Sequence, residues 1–358
     1  MSREILAPPL QRIGPNRCYR VNLVHEDFGG HPTKKRNMQQ TGTSPPSKQG
    51  YTEPDLYAED DDEVEESYTV EEMPNFMFKL TMHVPQPFYG GLIGFKGSNK
   101  RRIESETQTE IHVPRNIGGS SKSENLTITG KTRSSVCTAR RKITLQVASL
   151  RKRMKPTHFL CIPLNSGEIR GRYSEFKKGI LAAQLPGIDN DLFQTENCIH
   201  LTLSTCVLLD DAERVKALEL LEKCRQFLVD VKPPFEVKVS GLEIMNDDPS
   251  AVRVLYATVV APELQKFANR VLNYFMASGL NNEDRDSVKL HMTIMNNRYR
   301  KQLNTESANS FDAREILKNF GDFHFGTAFC SELQLCVLGS KSEELGEFYK
   351  VSGALKFK

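Results

Sequence analysis

The 358 residues are 38% hydrophobic and 26% charged, enough apolar surface for sizeable cores and a length suited to two or three domains. No apolar run approaches the ~20 residues of a bilayer-spanning helix, and the first ten residues lack the basic-then-apolar order of a secretory signal. Eight cysteines scattered from Cys18 to Cys336 without a C-x-x-C pair argue against a disulfide framework and a clustered zinc site, leaving reduced and mostly buried thiols.

The net charge of +3 conceals strong segregation. Residues 1–52 sum to +5, and residues 53–72 hold eleven acids and no base. Residues 73–156 carry sixteen Lys and Arg against four Glu, a charge of +12, and the remainder comes to −3. A small domain at +12 is the footprint of a phosphate-backbone binder.

Residues 1–72 read as a largely disordered tail, with Pro8-Pro9, Pro45-Pro46 and the acidic block Glu59 to Glu63. Lys34-Lys35-Arg36 is a short basic cluster that a solvated loop explains better than nuclear import does. From Phe76 to Val84 the chain reads as a strand stopped by Pro85 and Pro87. A short helix then leads to Gly94-Phe95-Lys96-Gly97, and Ser98 is the expected N-cap of a helix running to about Thr107. Strands at 109–113 and 125–129 flank a Gly/Ser-rich loop, and a basic helix spans about 134–152.

The two glycines permit a tight turn and let a sugar-phosphate backbone approach without a Cβ in the way. The helix start behind them offers free N–H groups to phosphate. Lys96, Lys100, Arg101 and Arg102 supply charge beside it, with Ile93 just before it and Ile103 and Ile111 as a groove floor for bases. These residues and the order strand, helix, helix, strand, strand, helix resemble a type I KH domain. That resemblance implies that residues 73–155 clamp single-stranded RNA through Ile93, Gly94, Phe95, Lys96, Gly97, Lys100, Arg101 and Arg102.

Pro156 opens a third region, 156–358, in which strands and helices alternate as one α+β domain. Its strands are expected at 157–163, 200–208, 235–245, 252–260, 288–295, 323–338 and 347–357, and its helices near 172–184, 210–229, 262–278 and 312–320. Two of the strands repeat one string: Ile199-His200-Leu201-Thr202-Leu203 and Leu290-His291-Met292-Thr293-Ile294. Strand geometry puts His and Thr on one face and the apolar residues on the other. A neutral imidazole takes a proton, an imidazolium gives one, and threonine hydroxyls donate to phosphate oxygens as charge builds. This chemistry needs no metal and no cofactor, and neither is expected. No G-x-S-x-G or H-E-x-x-H string offers another catalytic reading.

The paired strings resemble the two-histidine (2H) phosphodiesterase superfamily, which implies two pseudo-symmetric lobes with His200 and His291 as acid and base and Thr202 and Thr293 orienting the phosphate. The combination of both domains, with Gly241 to Pro249, Val288 to His291 and Ser310 to Leu317, resembles a family of subunits of the activating signal cointegrator complex. That likeness implies a nuclear protein serving transcription and alkylation-damage repair. It also implies docking of the complex's helicase subunit by Leu10-Gln11-Arg12-Ile13 and Arg17-Cys18-Tyr19-Arg20. Two functional classes stay open at this point: a KH-guided RNA phosphodiesterase, and a non-catalytic RNA-binding scaffold whose 2H domain grips RNA or nucleotide. Turnover of a small cyclic nucleotide is a third, weaker reading.

Overall fold

The computed structural model describes residues 10–12, 18–20, 68–114, 125–300, 310–340 and 348–357. The acidic block, the Lys34–Arg36 cluster and the Gly/Ser-rich loop from 115 to 124 lie outside the described residues, as do Ile13 and Arg17 of the docking strings. The chain divides into one unit over 1–65 and another over 66–358. In the first, β1 (Leu10–Arg12) and β2 (Cys18–Arg20) pair antiparallel, with Gln11 opposite Tyr19. No helix among the described residues is long and apolar enough to cross a membrane.

The second unit begins with a four-stranded antiparallel sheet, β3 (Val70–Glu72), β4 (Phe78–Met82), β5 (Thr109–His112) and β6 (Leu126–Gly130), in the order β3-β4-β6-β5. Helices α1 (Tyr89–Ile93), α2 (Ser98–Thr107) and α3 (Arg133–Lys152) cover it. Alternation in β5 and β6 turns Ile111, Leu126 and Ile128 inward, where they meet Leu92, Ile103, Val136 and Ile143 from the helices. Ile103 is therefore core, and only Ile111 reaches the groove that both were expected to floor. The α2 cap also differs from expectation. Gly97, in the left-handed region at φ 79°, occupies the cap position with no side-chain bond, and Ser98 is already helical.

The third region is an eight-stranded antiparallel sheet in the order β12-β9-β10-β11-β8-β7-β13-β14. Its strands are β7 (His158–Pro163), β8 (His200–Cys206), β9 (Phe235–Ile244), β10 (Val254–Val260), β11 (His291–Asn296), β12 (His324–Cys330), β13 (Glu332–Val337) and β14 (Val351–Lys356). Helices α4 (Gly167–Ala182), α5 (Asp211–Lys223), α6 (Pro262–Ala277) and α7 (Arg314–Phe320) complete it. Four strands lie on each side of the β11–β8 junction, which gives the two lobes. The expected strand segment 323–338 breaks at Ser331, and its halves serve different lobes. The sheet therefore curls: the Phe357 amide donates to the Ser331 carbonyl, and the Phe357 ring packs on Phe235 and Phe267.

The two described domains of this unit meet through buried charge. Arg151, near the end of α3 and 3% exposed, forks onto the carboxylate of Glu213 in α5, which is 4% exposed, and donates to the Val207 carbonyl. Its guanidinium also lies 4.8 Å from the Phe88 ring centre. His83 and Asp210 (2.9 Å) and Lys152 and Asp284 (2.9 Å) add exposed contacts around the pair.

Candidate functional site

The glycine turn is a strained stretch of backbone. Gly94 has φ 74° and ψ 178°, and Lys96 and Gly97 both have positive φ. A Cβ on Gly94 would fall 2.8 Å from Asn99, whose side-chain amide donates to the Gly91 carbonyl at 2.9 Å. Gly97 has no comparably close neighbour, so its glycine is needed for conformation and not for space. Because no side chain caps α2, its first N–H groups remain available to an anion.

Beside this turn lies a groove of about 600 Å³ lined by Ile93, Lys100, Ile111 and His112, with Tyr89 and Val113. Of the residues expected to bind RNA, Ile93 and Lys100 line it. Phe95 is 81% exposed, with Lys96 beside its ring. Arg101 and Arg102 are exposed on α2, and Arg102 is engaged with Glu106 (3.3 Å), which also holds Lys142 (2.6 Å). Lys100 pairs with Glu104 at 3.0 Å.

The histidine strands are adjacent. β8 and β11 run antiparallel with Leu201 opposite Met292, both fully buried. That register sets His200 across from Thr293, and Thr202 across from His291, on the opposite face. The four side chains thus form one patch, with the two histidines diagonal to each other. Both strands carry a β-bulge at the same point of the motif. Ser204 and Thr202 face Leu160 and Cys161 in succession, leaving Leu203 extra; Met295 and Thr293 face Leu255 and Tyr256, leaving Ile294 extra. A bulge re-aims the side chains beside it, and here both act on the His-x-Thr pair.

Each imidazole is held alike. His200 Nδ1 lies 2.7 Å from the Cys198 carbonyl, and His291 Nδ1 lies 2.8 Å from the Lys289 carbonyl. A carbonyl only accepts, so Nδ1 carries the proton in both, and each neutral ring presents a bare Nε2. The Thr202 hydroxyl donates to Nε2 of His200 at 3.1 Å. Cys198 thus serves His200 through its backbone oxygen, while its side chain is buried.

The surroundings are unlike. His200 packs against Phe159 and the edge of Tyr349, with centroids at 5.1 and 5.4 Å. Phe159 belongs to a small second core with Cys161, Cys336 and Phe348. Burial pushes His200 down to about 4, the Cys198 bond partly opposes this, and the neighbouring His291 adds to it. His291 lies at the edge of Tyr256 (5.3 Å), whose hydroxyl donates to Glu243 and whose ring carries Lys289 at 4.7 Å. Burial lowers His291 as well, opposed by its backbone bond and assisted by the positive charges of Lys289 and Arg285. Lys289, Arg285, Tyr256, Tyr349 and Phe159 all come to the site from elements that carry no His-x-Thr string.

A cavity of about 750 Å³ adjoins this patch through Cys198 and Tyr349, and Arg170, Lys177, Gln194 and Tyr299 line it further out. The Gln194 side-chain amide donates to the hydroxyls of Tyr299 (2.9 Å) and Tyr349 (3.4 Å), fixing both rings at the cavity wall. Among the described residues, no three His, Cys, Asp or Glu side chains group to hold a metal ion.

Residues 79–145 match the KH domain family, and residues 156–357 match the family described as AKAP7 2'5' RNA ligase-like domain. The chain is 35% identical over 285 residues to the mouse (Mus musculus) protein named activating signal cointegrator 1 complex subunit 1, covering 73% of this chain and 79% of that one. Among solved structures, the Thermus thermophilus protein TT0787 is 17% identical with a TM-score of 0.39, over 56% of this chain and 97% of that one. E. coli LigT complexed with ATP is 15% identical with a TM-score of 0.35, over 57% and 99%. Neither of these two likenesses is close enough to bear on the site. The chain belongs to the activating signal cointegrator 1 complex subunit 1 family, in which an RNA-binding KH domain precedes a 2H phosphoesterase-like domain of the AKAP7 2'5' RNA ligase-like type.

Proposed function

We propose that this chain is a KH-guided RNA phosphodiesterase, with His200 and His291 as its proton-transfer pair and Thr202 and Thr293 as its phosphate donors. The observation that carries the reading is the register of β8 and β11, which brings two identically tethered imidazoles and two hydroxyls onto one face. Two positive imidazoles so close would repel, so the pair holds at most one proton easily. The deeper burial of His200 leaves that proton to His291. His200 is then the base, taking a proton from a 2′-hydroxyl or a water at Nε2 once Thr202 has turned to the phosphate. His291, its proton favoured by the bound anion, is the acid that protonates the leaving oxygen. This acid–base pair moves both protons with the chain's own groups, and no cofactor enters the scheme. The cavity beside His200 offers room for the nucleoside that carries the phosphate.

The KH groove would hold the single strand from which that end projects, with Gly94–Gly97 and the α2 start on its phosphates. The family relationship supports a place in the complex that the mouse relative's name gives, the activating signal cointegrator 1 complex. A nuclear site, docking of a helicase subunit by the N-terminal strings and service in transcription and alkylation-damage repair complete the proposal.

The test is turnover of a panel of short RNAs ending in 2′,3′-cyclic phosphate, 3′-hydroxyl or 2′,5′-linked nucleotides. Wild type is expected to process one class, and His200→Ala and His291→Ala to lose it. A panel left untouched by wild type would remove the enzymatic claim in favour of a scaffold that only grips RNA. Gly97→Asp, whose Cβ finds room but whose left-handed backbone costs about 1–2 kcal/mol, should abolish strand binding while the domain stays folded.

A further inference from the structure

The segment that links α6 to β11 is folded against the other histidine strand. The Glu283 carboxylate accepts the Thr205 amide at 3.1 Å, the Thr205 hydroxyl at 2.8 Å and the Ser204 hydroxyl at 3.3 Å. Arg285 donates its Nε–H to Glu283 at 3.1 Å and an Nη2–H to the Leu203 carbonyl at 2.7 Å. Leu203 is the bulged residue directly after Thr202. The ladder between β8 and β11 consists of Leu201 and Met292, so two residues later the Leu203 carbonyl meets a guanidinium instead of a strand. The outer side of the same segment is pinned as well. Asn282 donates to the Met154 carbonyl at 3.0 Å, and Asp284 pairs with Lys152 at 2.9 Å, both just past or at the end of α3.

A guanidinium has five N–H donors in a rigid plane. Nε and Nη2 are committed to Glu283 and the Leu203 carbonyl, with Nη2 also 3.0 Å from the Glu283 carboxylate, which fixes that plane and leaves the Nη1 donors, and the side chain remains 32% exposed. The guanidinium is anchored on the backbone of the residue that follows Thr202, at 2.7 Å from the Leu203 carbonyl, and its positive charge is also one of those that disfavour protonation of His291. Lys289 is the other, but its ammonium lies over the Tyr256 ring and within 3.8 Å of Glu243. An anion placed between the two histidines therefore has Arg285 as the cation whose orientation is set and whose remaining donors are not spent.

We propose that Arg285 is a phosphate-binding residue of the His200–His291 site, presenting its uncommitted N–H groups to non-bridging oxygens of the bound phosphate. The proposal rests on reading the histidine pair as a phosphate site. Its fork suits two oxygens at once, which an ammonium on a flexible stem does not reproduce.

The experiment is calorimetric titration of the full chain, as wild type, Arg285→Gln and Arg285→Lys, with adenosine 2′-monophosphate at pH 7. Arg285→Gln is expected to weaken binding about tenfold or more, and Arg285→Lys by at least about threefold. Melting temperatures should stay within about 2 °C of wild type. An NMR titration of the His291 ring should show its protonation moving to higher pH in Arg285→Gln, a signature that a merely structural role would not produce. Wild-type binding with both variants within twofold of it overturns the proposal and leaves the phosphate site standing. If Arg285→Gln fails to fold, unchanged affinity in Arg285→Lys overturns it equally. Failure of wild type to bind the nucleotide, or any nucleotide monophosphate in its place, sinks the reading of the histidine pair and this proposal together.

Discussion

The two lobes carry the same five-residue pattern, the same Nδ1 tether and the same bulge, yet their histidines occupy different environments. His200 sits beneath Phe159 and Tyr349 with Thr202 on its Nε2, whereas His291 faces a wetter side with Lys289 and Arg285 nearby. The lesson is that a duplicated strand fixes where two imidazoles point, and the residues packed around each decide which proton state it prefers. Symmetry builds the patch; asymmetry sets the two histidines apart.

The comparison breaks most directly at the histidines. His200→Ala and His291→Ala are each expected to cost about 10²–10⁴-fold in turnover, and the double variant little more than the worse single one. Additive losses measured in single-turnover assays would show that the two act separately. Next in size is the buried charge on the His200 side, where α5 receives the KH domain. Removing one partner by Arg151→Met or Glu213→Gln leaves the other charge stranded and should destabilise the chain by about 3–5 kcal/mol in denaturant unfolding.

The pH dependence of stability separates the two environments further. Unfolded, His200 takes a proton near its ordinary value of 6.5; folded, it resists until about 4. Stability is therefore lost as pH falls from 6.5 towards 4, by no more than about 3 kcal/mol from this residue. His200→Gln should flatten that part of the curve, and His291→Gln should flatten it less. The smallest effect is expected at the Tyr349 hydroxyl, whose bond from Gln194 is long at 3.4 Å. Tyr349→Phe should cost less than about 1 kcal/mol by thermal unfolding, because the ring and not the hydroxyl packs on His200.

Much of this was legible in the sequence, because the signals were local. Alternation in each His-x-Thr string puts its His and Thr on one face, and the residues and element order around Gly94–Gly97 resemble the KH arrangement. What stayed hidden depends on partners far along the chain. A bulged Leu203 or Ile294 reads as one more apolar residue in an alternating string, and only the neighbouring strand reveals it as extra. Arg151 and Glu213 are 62 residues apart, each in an ordinary amphipathic helix, and nothing in either helix announces a buried pair. Arg285 lies in a polar stretch between a helix and a strand, and no local string marks it. Ile103 shows the opposite error, since an apolar residue beside a basic helix start served the core and not the ligand groove.

The single rung at Leu201 and Met292 has a mechanical meaning. Eight strands are stitched together everywhere else by longer ladders, so the seam through the middle of the patch is the place with least backbone holding it. A phosphate gripped from both sides would act there as an added stitch. Amide exchange at Leu201 and Met292 should accordingly slow on saturation with nucleotide more than exchange in the outer strands, which makes the seam itself a reporter of occupancy.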